Sequence, residues 1–368
     1  MAQIINTDQH RAFTLTDTKQ KSSMPDTIEG VSESNQQPHA FTNNRHKTLP
    51  RLFSVAPMMT WTDRHCRYFH RQFSQHALLY TEMITTGALI HGDKRRLLQH
   101  DAFEHPLALQ LGGYDAVELT RCARLAQEWG YQEVNLNVGC PSDRVQNGRI
   151  GACLMEEPET VANGVAAMVD AVDIPVTVKH RIGTNNQDSY GKLVDFVGKV
   201  AEAGCRTFIV HARIAILGGL SPNQNRNIPP LKPDWVYQLK KDFPHLEIII
   251  NGGIKSLKEA GEHITNLDGV MVGRAAYQNP CMLAEVDSLL YGTCSLPIEP
   301  NVIIERMMPY IESSLAKGIY LSHITRHMLG LYQGVPGARK FRRHLSEHAH
   351  KLGAGAQILL DAISLVEQ

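Results

Sequence analysis

The sequence predicts an α/β protein, a (β/α)8 TIM barrel followed by a small all-α C-terminal domain, on three observations. Eight short apolar runs alternate with stretches of helical period between Leu52 and Gly273. Each run ends in a polar, reactive or glycine-rich element. After Pro280 no β-rich run remains, and the text becomes helix, turn, helix.

In chain order, residues 1–47 are rich in Ser, Thr, Asn, Gln and Asp and lack either period, so a disordered polar tail is expected there. The barrel is expected over residues 48–295. Its strand runs are Leu52–Ala56, Leu78–Glu82, Leu107–Leu111, Glu133–Asn137, Pro175–Lys179, Thr207–His211, Glu247–Asn251 and Gly269–Gly273. The stretches between them include Ala116–Trp129, Glu159–Ala171, Tyr190–Ala203 and Leu257–Thr265, several opened by a capping Asp, Ser or Pro and one closed by Ala203-Gly204. A doubly wound sheet is the rival arrangement, weakened because no G-x-G-x-x-G follows the first run and no P-loop occurs. A barrel also explains the run ends: Pro57-Met58, Glu82, Gln110, Asn137, Lys179, His211, Asn251-Gly252-Gly253 and Gly273-Arg274. All of them would converge on the one face where such folds place their chemistry. Residues 296–368 read as helices over Val302–Ala316, Leu321–Leu331, Gly337–Leu352 and Ala356–Val366.

The 368 residues suggest two folded parts, and 43% hydrophobic with 20% charged residues places the chain among soluble globular proteins. Thirty-seven basic side chains balance 37 acidic ones, so a nucleic-acid or membrane partner would have to be met by a local patch. One such patch exists. Between Leu321 and Lys351, Arg326, Arg339, Lys340, Arg342, Arg343 and Lys351 stand against Glu347 alone, a net +5, with five histidines besides. No apolar run approaches the ~20 residues that span a bilayer, and the first fifty residues resemble neither a signal nor a transit peptide, so a cytoplasmic protein without a membrane partner is expected. Seven cysteines, without a C-x-x-C pair, are expected to be reduced thiols.

Cys140 is the candidate reactive thiol, because it lies just past the fourth run between a glycine and a proline, which present it stiffly at the reactive end of a strand. At an ordinary pKa of ~8.5 a thiol is protonated near neutrality and can act as a general acid without special tuning. Gly252-Gly253 and Gly273-Arg274 follow the seventh and eighth runs, where barrels frequently bind a phosphate on backbone N–H groups with an arginine as counter-charge. Lys179 and His211 end the fifth and sixth runs; the lysine suits either a cofactor contact or a Schiff base. His344-Leu345-Ser346-Glu347-His348 matches an H-x-x-E-H metal pattern, and His323 and His327 share a helical spacing. No third ligand site is evident, so no metal is expected.

Taken together, Ala56-Pro57-Met58-Met59, Ala108-Leu109-Gln110-Leu111-Gly112-Gly113, Asn135-Leu136-Asn137-Val138-Gly139-Cys140-Pro141-Ser142, Val178-Lys179-His180-Arg181-Ile182-Gly183, His211-Ala212-Arg213, Asn251-Gly252-Gly253-Ile254 and Val272-Gly273-Arg274-Ala275 resemble the tRNA-dihydrouridine synthases, in order and from Arg51 to the C-terminus. The segment from Gly218 to Leu231 is similar to the A-type bacterial branch, which implies uridines 20 and 20a of the tRNA D-loop as targets. The resemblance implies an FMN-bearing barrel, with NADPH or NADH as electron donor, and a helical tRNA-binding domain; a monomer is expected. Pro57, Met58 and Met59 would line the flavin ring, Gln110, Lys179 and His211 would bond to it, and Asn251, Gly252, Gly253, Gly273 and Arg274 would complete its site. Cys140 would donate the proton and Asn137 would hold the uracil, while Arg213, Asn223, Arg226, Arg339 and Arg342 would meet the tRNA. Thr60 departs from the pattern, which expects an acidic or small residue. The rival function is an FMN barrel acting on a free small molecule, of the dihydroorotate-dehydrogenase kind. It would leave the basic helical end without a role.

Overall fold

The computed structural model describes Leu49 and residues 51–142, 148–294 and 296–366; the polar tail expected over residues 1–47 lies outside the described residues. Eight parallel strands form one sheet: β1 (Phe53–Val55), β2 (Leu79–Thr85), β3 (Leu107–Gly112), β4 (Glu133–Val138), β5 (Val176–Arg181), β6 (Thr207–His211), β7 (Glu247–Asn251) and β8 (Gly269–Val272). Their order is β1-β8-β7-β6-β5-β4-β3-β2. Val55 N donates to Leu78 O at 2.9 Å and Leu78 N to Phe53 O at 3.1 Å, so β1 meets the foot of β2 and the sheet rolls into a barrel. The strands read as apolar runs because helices cover their outer faces; every residue of β3 is buried.

The crossover helices begin where the sequence supplies caps. Asp115, Ser189 and Ser256 each accept a backbone N–H of the first turn, from Glu118, Lys192 and Glu259. After the helix Tyr190–Glu202, Gly204 takes φ +104° and turns the chain toward β6.

The barrel floor carries charge. Arg51 donates through Nε to Glu133 and through Nη1 to Glu247, each at 2.8 Å. Glu133 also accepts from Tyr80 Oη at 2.7 Å and Thr177 Oγ1 at 2.6 Å, and Glu247 from Thr207 Oγ1 at 2.6 Å. Burial pulls the Arg51 pKa down, but its two carboxylate partners outweigh that and raise it.

Beyond the barrel the helices Pro300–Ala316, Leu321–Thr325, Ala338–His348 and Gln357–Ser364 bury Ile303, Met307, Ile311, Phe341, Leu345 and Leu359 in the same continuous core as the strands. The helix expected to reach Leu331 stops at Thr325. Arg326 and His327 turn back onto the first strand-end loop, where both pair with Asp63. A Cβ on Gly330 would lie 2.3 Å from Gln278 O, so the following backbone packs too closely on the barrel for a regular helix. No described helix is long and apolar enough to cross a membrane.

Candidate active site

The strand ends bring most of the expected residues to one mouth. On its β3 and β4 side Gln110 and Asn137 form a bonded pair, Asn137 Nδ2 donating to Gln110 Oε1 at 2.8 Å. Asn137 Oδ1 accepts the backbone N–H groups of Gly139 at 3.1 Å and Cys140 at 3.0 Å, folding the chain into a tight turn that sets the thiol at the rim.

The β5 to β8 side is cationic. Lys179, opposite Asn137 in the strand register, donates to Asn251 Oδ1 at 3.0 Å, and Asn251 Nδ2 donates to Met271 O at 2.7 Å. Burial, then repulsion from Arg181, lowers the Lys179 pKa to about 7. His211 is held well below its ordinary pKa, first by burial and then by Arg181, Lys179, Arg213 and Arg226 around it. None of Lys179, Arg181, Arg213, Arg226 and Arg274 has an ion pair with a described carboxylate. His211 Nδ1 and Arg213 Nε are buried without a hydrogen-bond partner among the described residues.

Glycine shapes the rest. Gly252 and Gly253 both take positive φ, +109° and +79°; a Cβ on the first would crowd His211 Nε2 at 3.2 Å, and one on the second would strike Leu231 at 2.4 Å. Gly273 leaves room beside Met58, whose Sδ would lie 3.5 Å from a Cβ there, and Arg274 reaches Asn227 Oδ1 at 2.9 Å. Buried nitrogens without a partner, one of them an arginine N–H, a cluster of cations and backbone freed of side chains fit an anionic, acceptor-rich group such as FMN.

The Pro57-Met58-Met59 loop is held at both ends, by Thr62 on Met58 and by Glu82 on the Thr60 backbone N–H. Thr60 itself takes φ +65°, a strained conformation for a β-branched residue and the local meaning of its departure from the family pattern. Asn223 and Arg226 lie on a short 3-10 turn at the rim, and Arg213 Nη1 bonds to Pro229 O. Arg339 and Arg342 are not at the mouth: they sit on the helix Ala338–His348, the first exposed and the second half-buried.

Sequence reasoning missed Arg181, which is buried and donates to Gly139 O at 2.9 Å, Ile214 O at 2.8 Å and Asn225 O at 3.1 Å, tying the Cys140 turn to the 214–225 segment. It also missed Asn135 and Thr177, inward-facing and buried below the mouth. The alternation along β4, with Glu133, Asn135 and Asn137 on one face, was the available signal. The H-x-x-E-H segment brings no metal set together: Arg343 pairs with Glu347 at 3.2 Å, Lys351 with His348 at 2.9 Å, and no cluster of three or more potential ligands occurs among the described residues.

The family model of dihydrouridine synthases matches residues 54–367. A Pseudomonas aeruginosa protein named tRNA-dihydrouridine(20/20a) synthase is 60% identical over 323 residues, 88% of this chain and 97% of its own. A Vibrio parahaemolyticus protein of the same name is 62% identical over 314 residues, 85% of this chain and 96% of its own. With a family model matched over residues 54–367 and relatives about 60% identical over most of both chains, the chain belongs to the dihydrouridine synthase family.

Proposed function

We propose that the protein reduces the C5–C6 double bond of uridines in the tRNA D-loop, at positions 20 and 20a, to 5,6-dihydrouridine. The carrying observation is the division of the mouth. In the ring of eight strands β4 lies four places from β8, so the Cys140 turn and the glycine and arginine cradle face each other across the opening. When bound, FMN reduced by NADPH or NADH supplies the hydride that adds to C6. Arg274, Gly252, Gly253 and Gly273 would hold its phosphate, with Lys179, His211, Asn251 and Gln110 around the ring and the Pro57-Met58-Met59 loop beside it.

The chain's own residues do the rest. Cys140 gives its proton to C5 from the opposite side and is reprotonated from solvent. Asn137 has one amide N–H left after holding the turn, and with Lys179 it can donate to the uracil carbonyl on which negative charge builds. To reach both sides of the mouth, the target nucleotide has to leave its stack.

The helical end supports a macromolecular substrate. Of the six basic side chains between Leu321 and Lys351, Arg326 is committed to Asp63 and Arg343 to Glu347. Arg339, Lys340 and Arg342 have no described ion-pair partner and are suited to tRNA phosphates. The test is incubation with unmodified tRNA and NADPH, with dihydrouridine mapped by mass spectrometry. Product at positions 20 and 20a by a yellow protein is the expected outcome. A folded protein that cannot take up FMN would end this reading, and turnover of free uracil compounds but not tRNA would favour a small-molecule enzyme.

A further inference from the structure

A continuous line of buried hydrogen bonds climbs the inside of the barrel from its floor to the Cys140 turn. Thr177 Oγ1 donates to Glu133 at 2.6 Å, and Asn135 Nδ2 donates to Thr177 Oγ1 at 2.8 Å. Gln110 Nε2 donates to Asn135 Oδ1 at 2.7 Å, Asn137 Nδ2 to Gln110 Oε1 at 2.8 Å, and Cys140 N to Asn137 Oδ1 at 3.0 Å. Strand register builds the line, since Gln110, Asn135 and Thr177 are direct partners on β3, β4 and β5.

The line has a polarity, and the floor sets it. Glu133, paired with Arg51, is a carboxylate that only accepts. Thr177 has one proton, and giving it to Glu133 leaves its oxygen only lone pairs to offer Asn135. Asn135 must therefore turn its NH2 to Thr177 and its oxygen to Gln110; Gln110 must turn its oxygen to Asn137; and Asn137 is left with its oxygen toward the Cys140 turn. Reversing any one amide would set donor against donor or acceptor against acceptor in a buried site. We infer that Thr177, anchored on Glu133, is a positioning residue that acts through Asn135, Gln110 and Asn137 to hold the Cys140 turn in its productive orientation. The inference rests on the reading of Cys140 as proton donor.

The test breaks the line at Thr177, which bonds directly to the floor carboxylate and is separated from the Cys140 turn by Asn135, Gln110 and Asn137. Thr177→Val keeps the shape and removes the hydroxyl; Thr177→Ser keeps the hydroxyl. In the flavin-loaded proteins, Thr177→Val should slow oxidation of the reduced flavin at saturating tRNA roughly 10-fold, the scale of a small misplacement of a reacting group. The tRNA concentration at half-saturation and the rate of flavin reduction by NADPH should not change, and Thr177→Ser should restore the wild-type rate. Added to Cys140→Ala, Thr177→Val should slow the reaction no further. Wild-type turnover by Thr177→Val, or full additivity in the Cys140→Ala background, overturns the inference. Cys140→Ala measured alone reports separately on the proton donor, and wild-type turnover there would overturn that reading and with it this one. Should the valine variant not fold, Thr177→Ala against Thr177→Ser makes the same comparison.

Discussion

At the floor of the barrel Arg51 lies between Glu133 and Glu247, and at the mouth Lys179 lies beside Asn251 with Arg181 as its charged neighbour. Both cations are enclosed by the same eight strands. The first is raised in pKa by its carboxylates, against the pull of burial, and the second is lowered to about 7 by burial and a like charge. The floor pairs its cation with two carboxylates, although Arg51 Nη2 is itself buried without a hydrogen-bond partner among the described residues. The mouth leaves five cations without a described carboxylate and two buried nitrogens, His211 Nδ1 and Arg213 Nε, without a partner among the described residues, which is how a fold looks where a ligand supplies the missing charge. One end of the barrel holds the fold together and the other is held ready.

This contrast can be broken from either end. The largest effect is expected at the mouth: Cys140→Ala should slow dihydrouridine formation by roughly 10²–10⁴, the range for a lost general acid, while flavin content and the melting temperature stay as they are. Stopped-flow measurement of the two half-reactions checks it, and an unslowed oxidative half would place the proton source elsewhere. At the floor Arg51→Met should do the reverse. Removing the cation strands the buried carboxylate of Glu133 and the half-buried one of Glu247, a change that costs about 3–5 kcal/mol where both groups are fully buried. In the variant those carboxylates have folded pKa values raised above their unfolded ones. Its stability deficit should then grow as pH rises from 5 to 8 and shrink as the groups protonate. Denaturant titrations at both pH values decide this, and a deficit independent of pH would mean that packing, not charge, is what Arg51 contributes.

The sequence made the mouth far more legible than the floor, and the reason is locality. Each strand end announces itself within a few residues, as in Asn251-Gly252-Gly253 or Asn137 with Cys140 three places on, so alternation and spacing place it. The floor is assembled from Arg51, Tyr80, Glu133, Thr177 and Glu247, which are scattered over nearly two hundred positions and become neighbours only when the barrel closes. Arg326 shows the same limit. Counted as part of a basic patch, it pairs with Asp63 at the far end of the sequence, and no periodicity could have revealed that.

A third prediction sharpens the contrast without touching the proton donor. Arg274→Ala should weaken FMN affinity about 10–100-fold, from the ~1.5–3 kcal/mol of a hydrogen bond to a charged group and ~1.4 kcal/mol per tenfold. Its unfolding free energy should match wild type when both are flavin-free, since among the described residues Arg274 bonds only to rim atoms of Asn227 and Arg226. Fluorescence titration with FMN gives the affinity, and retention at wild-type strength would remove Arg274 from the phosphate site.

The smallest expected effect concerns Lys179 in flavin-free protein. Its pKa falls from the ordinary lysine value to about 7 on folding. Below pH 7 the lysine is charged in both the folded and unfolded chain, and the whole cost of enclosing that charge is carried by the fold. Between about pH 7 and 10 the unfolded chain binds a proton that the folded one has shed, so stability rises with pH across that window. Lys179→Met removes the titration. The variant should melt about 2–4 °C above wild type at pH 6, a small shift because the ammonium faces the open mouth and water screens part of the cost. That advantage should fade toward pH 9.5, where wild type holds the lysine neutral. Inorganic phosphate added at pH 6 should stabilise both proteins through the Arg274 and glycine site, and wild type the more, because there it also offsets the Lys179 charge. Melting curves at several pH values read both. A constant gap would show that Lys179 is already compensated by protein groups, and the mouth would then resemble the floor.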